Sequence, residues 1–193
     1  MKRLILVLFI SWIVLSSFAQ SDILHLKFKG VSIDGTQKEY VEKMKQQGFT
    51  YLGTEDEVAV LKGDFAAYKD CHVLVSTLKQ KDLVYRIGVQ FPDCDTWGEL
   101  SRDYFFLKEM LTEKYGNPAE VTEIFQNNDL QDDTNRFFFV MMDQCKYLSS
   151  FETPQGTIQL KIDHKRREGC FVLLSYSDKI NSAIIRNHAL DDL

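Results

Sequence analysis

The chain has 193 residues, 45% of them hydrophobic and 12% aromatic, and a formal net charge of −5. That is enough apolar material to bury one core of ordinary domain size without staples. The acidic balance argues against nucleic acid or an anionic membrane surface as partner.

The first nineteen residues read as a cleavable secretory leader. Lys2 and Arg3 supply a positive start, residues 4–15 form an apolar core broken only by Ser11, and Ser17 and Ala19 fit the small-residue cleavage positions before Gln20. The apolar stretch is shorter than the roughly 20 residues of a spanning helix, so no membrane span is expected after cleavage. No cysteine stands at the expected cut, which argues against a lipid anchor. The leader carries two of the 23 basic residues and none of the 28 acidic ones, so the mature chain, residues 20–193, bears −7. A periplasmic or secreted protein made of one α+β domain is expected.

A short strand over 25–29 and a turn through Asp34-Gly35 lead to Thr36 and Glu39, the capping box of a first helix that ends at Gly48. Strands are expected over 57–65, 71–78 and 83–91. The last alternates, with Leu83, Tyr85, Ile87, Val89 and Phe91 on a core face and Val84, Arg86, Gly88 and Gln90 on a wetter one. The cap recurs at Thr96 and Glu99. It opens a long amphipathic helix marked by Trp97, Leu100, Tyr104, Leu107, Leu111 and Tyr115 and closed by Gly116-Asn117-Pro118. A strand over 119–125 and an exposed acidic and amide turn over 127–134 follow. Residues 135–144, with three consecutive phenylalanines, suit either a buried strand or a short helix, and the helix is preferred. Strands over 147–153, 157–164 and 170–176 form a meander, and a last helix begins at Asp178 and frays after about 187. The fold class expected is α+β, a mostly antiparallel sheet of six to eight strands with helices packed on it. Two capped helices sixty residues apart, each followed by strands, suggest a tandem helix-plus-sheet repeat.

Cys71, Cys94, Cys145 and Cys170 form an even set in an exported chain, which favours disulfides over free thiols. Of the three pairings, Cys71 with Cys94 is preferred because they flank the open end of a hairpin, leaving Cys145 to Cys170. In a simple meander, however, that second pair would sit two strands and about 10 Å apart. The histidines His25, His72, His164 and His188 share no metal-ligand spacing, and no nucleophile elbow, phosphate loop or dinucleotide fingerprint occurs. No metal, cofactor or catalytic set is therefore assigned. The carboxylate pairs Asp93 with Asp95 and Asp132 with Asp133 read as solvated turns.

Two features are candidates for interaction. Lys165, Arg166 and Arg167 make a basic loop on an acidic chain, which suits a phosphate or carboxylate on a glycan or simply a solvated hairpin tip. Tyr104, Phe105 and Phe106, like Phe137 to Phe139, cannot all lie on one buried helical face; a second layer over the sheet or a partner must take the surplus.

Several stretches resemble a group of uncharacterised exported proteins of gut Bacteroides and relatives: Gly35-Thr36 with Glu39-Tyr40-Val41, Leu61 to Ala66 before Tyr68-Lys69-Asp70-Cys71, Phe91-Pro92 leading to Trp97-Gly98-Glu99-Leu100, Lys114 to Pro118, and Tyr176 to Asn181. Ala67 stands where that pattern has Gly. The resemblance implies export and brings no activity with it. In architecture alone, tandem helix-and-sheet units are similar to the beta-lactamase inhibitor protein and to small outer-membrane assembly lipoproteins, which act by binding proteins. The expected role is an exported binding module with a protein or glycan partner in the envelope. The alternative is a small extracytoplasmic hydrolase acting on a glycan or peptide.

Overall fold

The computed structural model describes residues 24–78, 81–126, 132–165 and 169–191. The chain enters through a small hairpin, β1 (Lys27–Phe28) and β2 (Val31–Ser32). It then forms helix α1 (Gln37–Gln46) and four strands, β3 (Thr50–Glu55), β4 (Val58–Phe65), β5 (Tyr68–Leu78) and β6 (Leu83–Gln90). A second series follows: α2 (Trp97–Tyr115), β7 (Glu120–Phe125), α3 (Asp133–Met141), β8 (Cys145–Thr153), β9 (Gly156–Lys165) and β10 (Gly169–Asp178). The last helix, α4 (Lys179–Asp191), runs past residue 187 without a break.

The protein is thus α+β, with one eight-stranded antiparallel sheet in the order β3-β4-β5-β6-β10-β9-β8-β7 and helices packed against it. That order reads the same from either edge. Each half is a helix followed by a four-strand meander, and the halves join through their fourth strands, β6 and β10. The helix-plus-sheet repeat expected from the two caps is present in the topology, with α3 inserted between the first two strands of the second half.

Local chemistry sets the helix ends. Thr36 Oγ1 accepts the Glu39 N–H at 3.3 Å while Glu39 Oε2 accepts the Thr36 N–H at 3.0 Å, a complete capping box. At α2 only half the box forms. Thr96 Oγ1 takes the Glu99 N–H at 3.1 Å, but the Glu99 carboxylate turns to the Asp95 N–H. Asp132 caps α3 by accepting the Asn135 N–H at 2.8 Å. Residues 133–141 are therefore helix and not strand, and the phenylalanine run divides: Phe137 packs on the core, whereas Phe138 is 50% exposed.

Opposed residues of an antiparallel ladder share a face, so the register sorts every strand residue. The first face is apolar: Leu61, Val73, Val89, Leu174 and Leu160 make one cross-strand row, and Val75, Ile87, Tyr176, Ile158 and Phe151 another. All ten are buried, in one core with Tyr40, Val41 and Met44 of α1, the Trp97, Leu100, Tyr104, Leu107 and Leu111 stripe of α2, and Val140 of α3. The alternation expected over 83–91 needs one correction. A register shift opposite Ser76 and Thr77 leaves Tyr85 as the extra residue, so Val84 turns inward and Leu83 and Tyr85 are half-buried. Strand β3 is an edge strand not expected from sequence; nearly all its residues are exposed and its ladder shifts at Gly53, so no alternating burial marks it.

Candidate functional site

The other face of the same sheet differs in kind. One complete row across it reads Gly53, Val60, Leu74, Gly88, Ser175, Gln159, Ser150 and Glu120; the next reads Thr50, Lys62, His72, Gln90, Leu173, Lys161, Leu148 and Thr122. Around the β6–β10 seam Gly88, Gln90, Ser150 and Ser175 are buried, with the half-buried Leu74, Leu148 and Leu173 among them, while Gln159 and Lys161 of β9 are half-buried. The Arg86 guanidinium donates to Ser175 Oγ at 2.9 Å, and the Lys161 ammonium meets the Asp163 carboxylate at 2.6 Å. Helices α1, α2 and α3 put their buried residues into the first face. The last helix docks at one end of the sheet against β6, β9 and β10, and there it borders a cleft of about 380 Å³ lined by Glu152, Thr157, Ser177, Lys179 and Arg186 among others. Two of that cleft's threonine and glutamate groups pair with each other, Thr157 Oγ1 donating to Glu152 Oε2 at 2.9 Å.

The end of the sheet at α4 is tied down by a polar cluster. Asp178 is fully buried; its Oδ2 accepts the Leu26 N–H at 2.7 Å and its Oδ1 accepts the Asn181 N–H at 2.9 Å, which caps α4. The Asn181 side-chain amide donates to Ile33 O at 3.0 Å and Val84 O at 2.8 Å, joining the N-terminal segment, β6 and α4. His25 lies 3.1 Å from Asp178 Oδ1 through Nδ1 and 3.5 Å from Asp34 Oδ2 through Nε2. Both ring nitrogens face carboxylates, so neither is directed at a nucleophile, and the cluster serves as a clamp.

The remaining histidines are scattered. His72 lies on the open face between Lys62 and Gln90, His164 is 3.7 Å from Asp143 and beyond hydrogen-bond reach, and His188 is in α4. Asp93 and Asp95 are exposed, while Asp132 is spent on capping α3. Among the described residues no group of three His, Cys, Asp or Glu side chains could hold a metal ion.

The candidate interaction residues separate. Tyr104 is buried in the core; its hydroxyl shares a 2.7 Å hydrogen bond with Ser149 and donates to Glu123 Oε1 at 3.3 Å, and Lys108 donates to the same oxygen at 2.6 Å. Burial pushes the Tyr104 hydroxyl well above the ordinary tyrosine range. Phe105 and Phe106 remain 45% and 46% exposed, Phe105 against Tyr147 and Phe106 beside Tyr68. Lys165 is exposed, and Arg166 and Arg167 lie outside the described residues.

All four cysteines are free thiols in this structure, and neither pairing expected from sequence is in position. Cys145 in β8 and Cys170 in β10 are separated by β9. Cys71 aligns with Gly63 in β4, and Cys94 lies beyond the end of β6, where it bridges to Cys170. Burial raises all four thiols, Cys71 and Cys170 to about 11 and Cys94 and Cys145 to about 12, so none is an ionised nucleophile at neutral pH.

Sequence reasoning read the second face on residues 83–91 alone; the same signal was present where Thr157, Gln159, Lys161 and Asp163 alternate with Ile158, Leu160 and Ile162. No helix among the described residues is long and apolar enough to cross a membrane. No family model, no curated protein and no solved structure matches this chain.

Proposed function

We propose that this chain is an exported binding module that recognises a protein or glycan partner in the cell envelope or beyond it with the open face of its sheet. One observation carries the reading: two four-strand meanders join edge to edge into one eight-strand face that mixes polar residues with Val60, Leu74, Leu148 and Leu173, while helices α1 to α3 pack on the opposite side. A face eight strands wide spans about 34 Å at the usual strand spacing, which matches the reach of a protein interface of standard size. Gln159 and Lys161 on β9 are half-buried and lie outside the core cluster.

The test is a paired capture. Tagged mature protein and two variants, Gln159→Arg with Lys161→Glu on the open face and Phe105→Ser on the helical side, are incubated with the producer's envelope and culture fluid, and bound proteins and glycans are identified by mass spectrometry. A stoichiometric partner retained by the wild type and Phe105→Ser but lost from the β9 variant is expected. Loss from Phe105→Ser alone would transfer the binding role to the exposed aromatic patch of α2, and sink the sheet-face reading.

A further inference from the structure

We propose that Cys94 and Cys170 are a disulfide site that staples the seam between the two halves of the sheet. The two residues are Cα partners in an isolated antiparallel bridge, and the Cys94 N–H donates to Cys170 O at 2.8 Å. Opposed residues of an antiparallel pair stand about 4.5–5.5 Å apart at Cα, inside the roughly 4.4–6.8 Å window of natural disulfides, and their side chains leave the sheet on one side. Beside the bridge the Asp93 side chain crowds Gly169: a Cβ placed there would stand 3.0 Å from Asp93 Cγ.

The rival pairs fail on the same geometry. Cys145 and Cys170 have β9 between them, about 10 Å of sheet. The β5–β6 register, carried one step further, sets Cys71 against Phe91, three residues or about 10 Å along the strand from Cys94. Cys94 and Cys170 both belong to the core, and the Cys94 thiol holds only weak contacts, 3.8 Å to Asp103 Oδ2 and 3.9 Å to Pro92 O, that a turn toward Cys170 would give up.

The co-reactant is a low-molecular-weight disulfide. One thiolate attacks it, expelling a thiol and leaving a mixed disulfide on Cys94; Cys170 then attacks the Cys94 sulfur and expels a second thiol. The external S–S bond is broken, the protein S–S bond is made, and the two released thiols carry away two electrons and two protons. Because both sulfurs are buried once the core closes, the exchange belongs to folding, while β6 and β10 are pairing. The bond closes a loop of roughly 75 residues, long enough to constrain the unfolded chain substantially. It joins the α2 lead-in to β10, the strand of the second half that lies at the seam, independently of the binding role.

The experiment is refolding of the reduced, denatured mature protein in a buffer of oxidised and reduced glutathione, alkylation under denaturing conditions, and peptide mapping. A peptide linking Cys94 to Cys170 is expected, with Cys71 and Cys145 alkylated, and a thermal midpoint about 5–15 °C above that of the reduced protein. A Cys71→Ser/Cys145→Ser double variant should form the same link. A dominant Cys71–Cys94 or Cys145–Cys170 peptide, four alkylated cysteines, or a double variant that folds without the link would each overturn the proposal.

Discussion

The two faces of the sheet are built by the same strands and differ by one residue of register. On β9 and β10, Leu160 and Leu174 point into the core, and their neighbours belong to the second face, Gln159 half-buried and Ser175 buried. The first face was assigned large apolar side chains and drew three helices onto itself; the second mixes glycine, serine and glutamine with Leu74, Leu148 and Leu173 across its centre. A β-strand's period of two lets stability and recognition be written on alternate residues of one segment, with little interference between them.

The largest effect expected is therefore a contrast between neighbours. Leu160→Ala removes a fully buried side chain and should cost about 2–5 kcal/mol. Gln159→Ala, one residue away, should stay within about 0.5 kcal/mol. Urea unfolding of both variants decides it; comparable losses would mean that the second face is also core.

That division was half legible in the sequence. The Thr36 and Thr96 caps, the α2 stripe and the alternation through Ile87 and Val89 are local signals, and they specify their elements as expected. What could not be read was which strands meet across the molecule. Nothing local in residues 83–90 or 169–178 says that β6 pairs with β10, yet that single pairing fuses two meanders into one face and sets Cys94 against Cys170. The exposed edge strand β3 and the extra residue Tyr85 were equally hidden, because exposure erases alternation and a bulge resets it.

A smaller effect tests how the register between the faces is held. Phe65 pairs with Tyr68 around Ala66 and Ala67, whose φ angles of 50° and 68° place both alanines in the left-handed region that a two-residue hairpin demands. An L-residue pays for that conformation, and glycine does not. Ala67→Gly should raise stability by about 0.5–1 kcal/mol with the sheet register unchanged, as read by the urea midpoint. A lowered midpoint would show that the Ala67 methyl contributes more than its backbone costs.

The smallest effect concerns the end of the sheet where the two faces meet under α4. Asp34 is half exposed there. Its partial desolvation raises its carboxyl, but the Gly35 N–H, the Asn181 amide at 3.2 Å and the positive field of His25 and Lys43 outweigh that and hold it below the ordinary value of 3.8. A carboxyl depressed in the folded chain contributes stability that is fully present above its unfolded value and is lost as pH falls through the folded one. Thermal midpoints of the wild type and Asp34→Asn should thus differ most at neutral pH and converge below the ordinary value of 3.8, the variant lacking that acid-dependent component. A constant difference at every pH would mean that the Asp34 charge is solvated as in the unfolded chain. The clamp at this end would then rest on buried Asp178 and Asn181 alone, and its polar character would be a matter of hydrogen bonds and not of charge.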